Sequence, residues 1–217
     1  MDDQTASAAV RCSPMPFPAT KGPRRQMRLV LIGPPGAGKG TQAAMLSSAL
    51  GVPHISTGDL FRDHTARRTQ LGQDAGRYLD AGELVPDPVT VDMVRQRLGE
   101  PDARHGFILD GFPRTVPQAD GLARILDEHG EKLDAVVELT APEDVLVDRL
   151  LAHGRQDDAE DVIRNRQRVY HRDTAPLLAY YADLLTSVGA VGSTEQIADE
   201  VLTRLQAGPR PERHPGT

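Results

Sequence analysis

The chain has 217 residues, of which 39% are hydrophobic and 26% are charged, proportions that are ordinary for a globular protein. Its formal net charge of −6 gives no reason to expect nucleic acid or an anionic membrane as a partner. The single cysteine, Cys12, excludes a disulfide within the chain and a cysteine-based zinc site, and no apolar run approaches the roughly 18 residues that cross a bilayer.

The two ends of the chain are predicted to be disordered tails. Residues 1–26 are rich in Pro, Ser, Ala and Thr, show no periodicity and lack the apolar stretch of a secretory signal. Residues 208–217 have a similar composition. The folded part is therefore expected to run from residue 27 to residue 207.

Short apolar runs alternate with helical patterns throughout this part. The predicted strands, in chain order, are residues 28–32, 107–110, 135–139 and 188–191. The predicted helices are residues 39–50, 88–98, 118–129, 142–151, 159–170 and 195–206. Strands that alternate with helices predict an α/β fold in three layers, a parallel sheet with helices on both faces.

Two stretches fit the alternation poorly. Residues 57–86 are helical and polar and separate the first helix from the next predicted strand, and residues 151–158 form a short polar connection. Insertions in an α/β core lie where strands end, which is also where ligands bind. These two stretches are the predicted moving parts.

A glycine-rich loop follows the first predicted strand and opens the first helix. It reads GPPGAGKGT from Gly33 to Thr41 and nearly fits G-x-x-x-x-G-K-[ST], except that Gly40 stands at the hydroxyl position. Glycines let backbone N–H groups surround phosphates, and Lys39 adds a positive charge. The pattern predicts a phosphate loop. The G-x-G-x-x-G pattern of dinucleotide-binding proteins is not completed. The N-K-x-D motif by which GTPases recognise guanine is also absent, because the sole asparagine is Asn165 and arginine follows it.

Arginines in two further motifs indicate a second anion-binding set. STGDLFR starts a helix with hydroxyl groups and ends at Arg62, and DGFPRT follows a predicted strand directly and contains Arg114. Three more arginines surround the polar connection, namely Arg149, Arg155 and Arg166. Singly, each could be a solvated helix-face charge, and Thr57 could be only a helix cap. Jointly, in this order and beside a phosphate loop, they favour a binding site.

Six segments together resemble the adenylate kinase family in its short-lid form: GPPGAGKGTQ, STGDLFR, DAGELVPD, LDGFPRT, GRQDD and TAPLLAYY. The resemblance runs from Met27 to the C-terminal helix, and GKGT is the family's own form of the phosphate loop. It implies reversible transfer of the terminal phosphoryl group of ATP to AMP, giving two ADP. It also implies a small helical AMP-binding insertion at about residues 57–86, a very short lid at about 150–158 and a cis peptide at Phe112–Pro113.

The resemblance also implies cofactors and partners. Mg²⁺ is held mainly by the nucleotide phosphates and by water, with Asp110 oriented toward it, and no structural zinc is expected. The implied protein is a cytoplasmic monomer whose partners are ATP and AMP, with neither nucleic acid nor a membrane among them.

Residue roles follow from the same resemblance. The expected ATP-binding residues are Gly36, Ala37, Gly38, Lys39, Gly40, Thr41, Arg149 and Gly192. The expected AMP-binding residues are Thr57, Arg62, Glu83, Leu84, Val85, Gly111, Phe112, Pro113, Arg114, Gln118, Arg155 and Arg166. The expected catalytic residues are Lys39, Arg114, Arg149, Arg155 and Arg166. No side-chain base is needed, because the attacking phosphate oxygen is already anionic and the barrier lies in bringing two polyanions together.

One position departs from the family pattern, and two alternatives stay open. Similar enzymes carry a second arginine soon after the position of Arg149, where this chain has His153. A pyrimidine nucleoside monophosphate kinase is the close alternative, but such proteins typically have alanine where Thr57 stands, which favours AMP. A nucleotide-binding paralogue with weak turnover is the second alternative, because His153 weakens the lid.

Overall fold

The computed structural model of the protein describes residues 27–153 and 160–207, and the side chains of residues 152, 153 and 160 are outside that description. Both predicted tails and most of the predicted lid therefore lie outside the described residues. So do Cys12 and Arg155.

Five parallel strands form one sheet in the described part of the chain. They are β1 (Arg28–Ile32), β2 (His54–Ser56), β3 (Phe107–Asp110), β4 (Ala135–Thr140) and β5 (Leu185–Gly189). Their spatial order is β2-β3-β1-β4-β5, and every neighbouring pair is parallel. The carboxyl ends of all five strands consequently lie at one edge of the sheet.

Nine α-helices occupy the described residues. They are α1 (Lys39–Leu50), α2 (Thr57–Ala66), α3 (Gln70–Asp80), α4 (Asp87–Leu98), α5 (Val116–Glu128), α6 (Glu143–His153), α7 (Glu160–Val169), α8 (Pro176–Tyr180) and α9 (Thr194–Ala207). Short 3₁₀ turns cover Pro101–His105 and Ala182–Leu184, and one π-helical turn covers Tyr170–Thr174.

Alternate residues of the central strands face opposite sides of the sheet, as the twofold repeat of a strand requires. Leu29 and Leu31 of β1 pack in a core cluster with residues of α1 and α9. Val30 and Ile32 pack in a second cluster with residues of α4 and α5. Helices cover both faces, so the predicted three-layer α/β fold is confirmed.

The region predicted as an insertion contains two helices and a small core of its own. Helix α2 begins at Thr57, and the Ser56 side chain caps it by accepting a hydrogen bond from the Asp59 N–H. Four buried side chains form the separate cluster, namely Phe61, Ala75, Val85 and Met93. This small core gives α2 and α3 packing contacts distinct from the two clusters that flank the sheet.

One strand was not predicted, and two predicted boundaries are wrong. Strand β2 was not predicted, because only one of its three residues, Ile55, is buried and a period-two pattern cannot show in so short a run. The last strand covers Leu185–Gly189 rather than residues 188–191, because it is an edge strand paired with β4 alone and begins with half-buried residues. Helix α6 continues to His153, so the connection predicted from residue 151 begins later.

Candidate active site

The phosphate loop lies between β1 and α1 and packs tightly against its neighbours. A Cβ atom on Gly33 would lie 2.5 Å from the Leu139 carbonyl oxygen, and one on Gly36 would lie 2.6 Å from the Leu146 carbonyl oxygen. Gly36 also has φ of 86°, which side-chain-bearing residues rarely adopt. Gly38 has no side chain with which to cap α1. The first N–H groups of α1 therefore face the site, where an anion can satisfy them.

Lys39 holds its ammonium group over this loop. Its Nζ donates hydrogen bonds to the carbonyl oxygens of Gly33, at 2.7 Å, and Pro34, at 3.0 Å. Burial lowers the pKa of Lys39 to about 8, against the opposing attraction of Asp110 and with a smaller contribution from the charge of Arg114. The lysine is thus a cation kept in a poorly solvated place, where an anionic ligand would stabilise its charged form.

Asp110 ends β3 beside the phosphate loop. Burial raises the pKa of this carboxyl group, but the His54 imidazole and the charges of Lys39 and Arg114 outweigh burial and hold the pKa below its usual range. His54 Nε2 lies 3.6 Å from Asp110 Oδ2 and has no hydrogen-bond partner within the described residues. Asp110 therefore remains a carboxylate at neutral pH, surrounded by groups that favour its negative charge.

The turn after β3 fixes the position of Arg114. The Phe112–Pro113 peptide bond is cis, as the sequence resemblance implied. Arg114 Nε donates a 3.0 Å hydrogen bond to the Gly111 carbonyl oxygen. Burial lowers the pKa of Arg114; Asp110 opposes that effect, and the positive charges of Arg166 and Arg62 add to it. Arg62 and Arg166 thus repel Arg114, although Arg62 is also ion-paired with Asp59, and a bound phosphate would offset the repulsion at Arg114.

These groups line one cavity of about 830 Å³ along the carboxyl edge of the sheet. The predicted residues in its wall are Gly36, Ala37, Gly38, Lys39, Gly40, Thr41, Arg62, Glu83, Asp110, Gly111, Pro113, Arg114, Arg149, Arg166 and Gly192. The structure therefore brings the phosphate loop, the turn after β3 and arginines of α2, α6 and α7 to a single site.

A smaller pocket adjoins the cavity beneath the two insertion helices. Its wall includes the predicted residues Thr57, Glu83, Leu84, Val85, Gly111, Arg114 and Gln118. Five residues belong to both walls, so the two spaces adjoin and Arg114 lies at their junction; the shared residues are Gly58, Leu79, Glu83, Gly111 and Arg114. Phe112 lies in neither wall, because its fully buried side chain packs in the cluster with α4 and α5.

Three buried polar side chains lie among the apolar residues that line the smaller pocket. Thr57, Thr90 and Gln118 are at most 4% exposed. Thr57 Oγ1 donates to the Gly111 carbonyl oxygen at 2.9 Å. Gln118 Oε1 accepts from the Arg114 N–H at 2.8 Å, and Gln118 Nε2 donates to Asp87 Oδ1 at 2.7 Å. The polar groups are therefore held by defined partners, as binding of a specific ligand requires.

Two residues that the sequence did not single out, Gln42 and Tyr170, also line the site. Gln42 on α1 is 2% exposed, and its Nε2 donates to the Thr194 carbonyl oxygen at 3.0 Å. It joins the phosphate loop helix to the start of α9, close to Gly192 in the cavity wall. Tyr170 also lines the cavity, and burial raises its pKa to about 12, with a contribution from Glu138.

The end of the insertion is fastened to α7, the helix that carries Arg166. Asn165 Nδ2 donates a 2.7 Å hydrogen bond to the Ala81 carbonyl oxygen. A Cβ atom on the next residue, Gly82, would lie 3.1 Å from the Val162 carbonyl oxygen and 3.2 Å from Arg166 Cγ. The absence of a side chain at Gly82 thus allows the insertion to approach α7 closely.

Neither a protein metal centre nor a membrane segment is found in the part of the chain that the structure covers. Among those residues, no three His, Cys, Asp or Glu side chains are grouped so as to hold a metal ion. None of their helices has the length and apolarity to cross a membrane.

Comparison with known proteins points to one family. The family model described as "Adenylate kinase" matches residues 31–185. A protein of Nocardia farcinica named adenylate kinase is 57% identical over 179 residues, which are 82% of this chain and 99% of that relative. A Rhodococcus erythropolis protein of the same name has the same identity and coverage. A third, from Mycobacteroides abscessus, is 57% identical over 171 residues, 79% of this chain and 94% of the relative.

Proposed function

The chain belongs to the adenylate kinase family, and we propose that its paired pockets carry out the reaction of that family. The reaction is the reversible, Mg²⁺-dependent transfer of the terminal phosphoryl group of ATP to AMP, which gives two ADP and maintains the balance of adenine nucleotides. The observation that carries the proposal is the meeting of the two spaces at Arg114, with the phosphate loop on one side and a pocket that contains three buried polar side chains on the other.

ATP is proposed to occupy the larger cavity, with its phosphates on the loop. The open N–H groups at the start of α1 and the Lys39 ammonium group would hold the phosphate chain. Arg149 and Gly192 lie in the same wall and would contact the rest of the nucleotide. The positive end of the α1 dipole adds to the attraction for phosphate.

AMP is proposed to occupy the smaller pocket, with its base among the buried polar side chains and its phosphate at Arg114. Thr57 and Gln118 would face the base. Arg62 and Arg114 would hold the phosphate. The positive charges of Arg62 and Arg166 near Arg114 favour binding of an anion there. Arg166, and Arg155 outside the described residues, would bridge to the group in transfer.

The chemical step requires positioning and charge neutralisation and no side-chain base. An oxygen of the AMP phosphate forms a bond to the terminal phosphorus of ATP while the bond from that phosphorus to the bridging oxygen breaks. Both reactants are polyanions, so cations around the meeting point lower the barrier by offsetting repulsion and holding the attacking and leaving oxygens in line. The described cations proposed for this role are Lys39, Arg114, Arg149 and Arg166, all of which lie in the cavity wall.

Asp110 fits a Mg²⁺ ion that is held mainly by nucleotide phosphates. Magnesium prefers oxygen ligands and keeps several waters, so one carboxylate near the phosphates is a suitable protein partner. Asp110 ends β3 in the cavity wall, and its lowered pKa keeps it ionised. When bound, the ion neutralises phosphate charge and orients the terminal phosphoryl group. A hydroxyl group at position 40 is then not needed as a magnesium ligand.

Closure over the nucleotides has a chemical purpose. Water that reached the terminal phosphorus would hydrolyse ATP without making a second ADP, so the reacting groups must be enclosed. The insertion of α2 and α3, with its separate small core, is the proposed moving part on the AMP side. We further propose a cytoplasmic monomer, in agreement with the family resemblance.

A coupled assay of ADP formation from MgATP tests the proposal, with AMP, UMP, CMP and GMP offered in parallel. AMP is expected to be the preferred acceptor, and Lys39→Met is expected to abolish turnover. Equal or faster rates with UMP or CMP would favour a pyrimidine kinase instead. Nucleotide binding without turnover would favour the non-catalytic paralogue.

A further inference from the structure

Gln118 is held by two partners of unambiguous chemistry in the wall of the smaller pocket. It occupies the first turn of α5, where Thr115 caps the helix and accepts a hydrogen bond from the Gln118 N–H. Its side-chain oxygen accepts from the backbone N–H of Arg114, and its side-chain nitrogen donates to the carboxylate of Asp87. A backbone N–H can only donate and a carboxylate can only accept, so these partners fix which end of the amide is oxygen.

We propose that Asp87 is a specificity-determining residue, because it locks the Gln118 amide in the orientation that matches the edge of adenine and opposes the edge of guanine or hypoxanthine. The inference rests on the proposed function, since it concerns the base of the nucleotide in the smaller pocket. Asp87 begins α4 and reaches Gln118 from a different helix, 31 residues away in the chain.

The locked amide has one N–H group and one oxygen lone pair still available. Adenine presents a donor at its 6-amino group beside an acceptor at N1, which is the complement of an amide oxygen beside an amide N–H. Hypoxanthine and guanine present an acceptor at the 6-oxygen and a donor at N1, so the same amide would set oxygen against oxygen and N–H against N–H. They could pair only if the amide turned over.

Turning the amide over is unfavourable because both of its present partners would then oppose it. The Gln118 nitrogen would face the Arg114 N–H, and the Gln118 oxygen would face the Asp87 carboxylate. Loss of a hydrogen bond to a charged group in a buried place is costly, and Gln118 is only 2% exposed. Of these two contacts, only the one with Asp87 involves a partner side chain, so only that contact can be removed by substitution of the partner.

Asp87→Asn is the sharpest test, because asparagine has the same shape but can either accept from Gln118 or donate to it. The hydrogen bond to residue 87 survives in both amide orientations, so the Asp87 half of the lock is lost while the Arg114 half and the packing are kept. Inosine monophosphate is the matched probe, since its base differs from adenine at the 6-position and in the proton on N1 and lacks the extra amino group of guanine.

The measurements are the KM for AMP and the inhibition constant of inosine monophosphate as a competitor of AMP, so the result does not depend on turnover of the probe. In Asp87→Asn we expect the preference for AMP over inosine monophosphate to fall about tenfold, mainly through tighter binding of the probe, with the KM for AMP changed by less than about threefold. Asp87→Leu should lower the preference as well, through weaker AMP binding. Asp92→Asn, an exposed carboxyl group of the same helix, is the control and should leave the preference unchanged.

The outcomes separate the inference from simpler explanations. A carboxylate that only stabilised the start of α4 would affect both nucleotides alike, so a preference within about twofold of the wild-type value in Asp87→Asn overturns the inference. If the wild-type protein made no ADP from ATP and AMP, the proposed function itself would fail. Normal ADP formation with an unaltered preference in the variant would refute the role of Asp87 alone.

Discussion

The Lys39 ammonium group lies 2.7 Å from the carbonyl oxygen of Gly33, so the cation at the end of the phosphate loop is bound to the beginning of the same loop. The contact keeps a partly buried charge satisfied by backbone oxygens. Because Lys39 is the first residue of α1, phosphates bound at the start of that helix would have both its ammonium group and the open N–H groups nearby.

The lowered pKa of Lys39 predicts that binding of MgATP takes up protons in mildly alkaline solution. In the free protein the charge is present below pH 8 and is lost as the pH rises through the pKa of about 8. Phosphate favours the charged form and raises that pKa, so we expect an uptake of about half a proton per nucleotide at pH 8. Titration calorimetry in two buffers of different ionisation enthalpy measures it. Lys39→Met should abolish the uptake, whereas equal heats in both buffers for the wild-type protein would contradict the prediction.

Arg114→Ala is predicted to raise the KM for AMP more than the KM for ATP. The guanidinium group lies at the junction of the two pockets, and loss of its charged hydrogen bonds to a phosphate should raise the KM for AMP roughly tenfold to a hundredfold. Arg114→Lys should recover only part of the affinity, because an ammonium group lacks the forked geometry. Arg124→Ala, at an exposed position of α5, is the control. Steady-state kinetics with each substrate varied in turn measures the two KM values, and an equal or larger rise in the KM for ATP would contradict the prediction.

Thr57 is predicted to contribute to the choice of AMP over UMP, whose base has a carbonyl oxygen in place of an exocyclic amine. Its hydroxyl hydrogen is committed to the Gly111 carbonyl oxygen, so its own oxygen can only accept, which suits an exocyclic amine on a base. Thr57→Val, which keeps the shape, should lower kcat/KM for AMP about threefold to tenfold, and Thr57→Ser should retain most of it. Identical AMP kinetics in the valine and serine variants would exclude a role for the hydroxyl group.

His153 is predicted to make the use of ATP depend on pH. A free imidazole has a pKa of about 6.5 and is only partly charged at neutral pH, whereas an arginine would be fully charged and could bind a phosphate with two N–H groups. His153→Arg should therefore improve kcat/KM for ATP and flatten the alkaline decline between about pH 6 and pH 8. Unchanged pH profiles and ATP kinetics in this variant would mean that His153 does not serve the nucleotide.

Contiguous motifs were the predictable part of the site. Residues 33–41 and 110–114 each form one uninterrupted stretch at the end of a buried strand, so the sequence predicts that they share one edge of the sheet, and the family resemblance adds the cis peptide at Phe112–Pro113. The bonds from Gln118 to Asp87 and from Asn165 to Ala81 were not predictable. They join residues 31 and 84 positions apart through single polar atoms, and no periodicity in the sequence marks such contacts.

The fold was predictable where burial is complete and less so at its edges. Strands β1, β3 and β4 carry runs of fully buried apolar residues and were found close to their true bounds. Strand β5 begins with half-buried residues, and the apolar run that suggested a strand at residues 188–191 ends at Val191, which is 59% exposed. The bounds of β5 are set by its pairing with β4 at the edge of the sheet rather than by its local composition.

The bond between Asn165 and Ala81 has a mechanical consequence. It fastens the trailing end of the insertion to the helix that bears Arg166, and Gly82 keeps the two backbones in close contact. If the insertion moves while this hydrogen bond stays intact, α7 and its Arg166 move with it. AMP and the Arg166 guanidinium group would then reach the phosphoryl group in a single conformational change rather than in two. The timing of the cycle would then depend on the hydrogen bond between Asn165 and Ala81, two residues that line neither proposed nucleotide pocket.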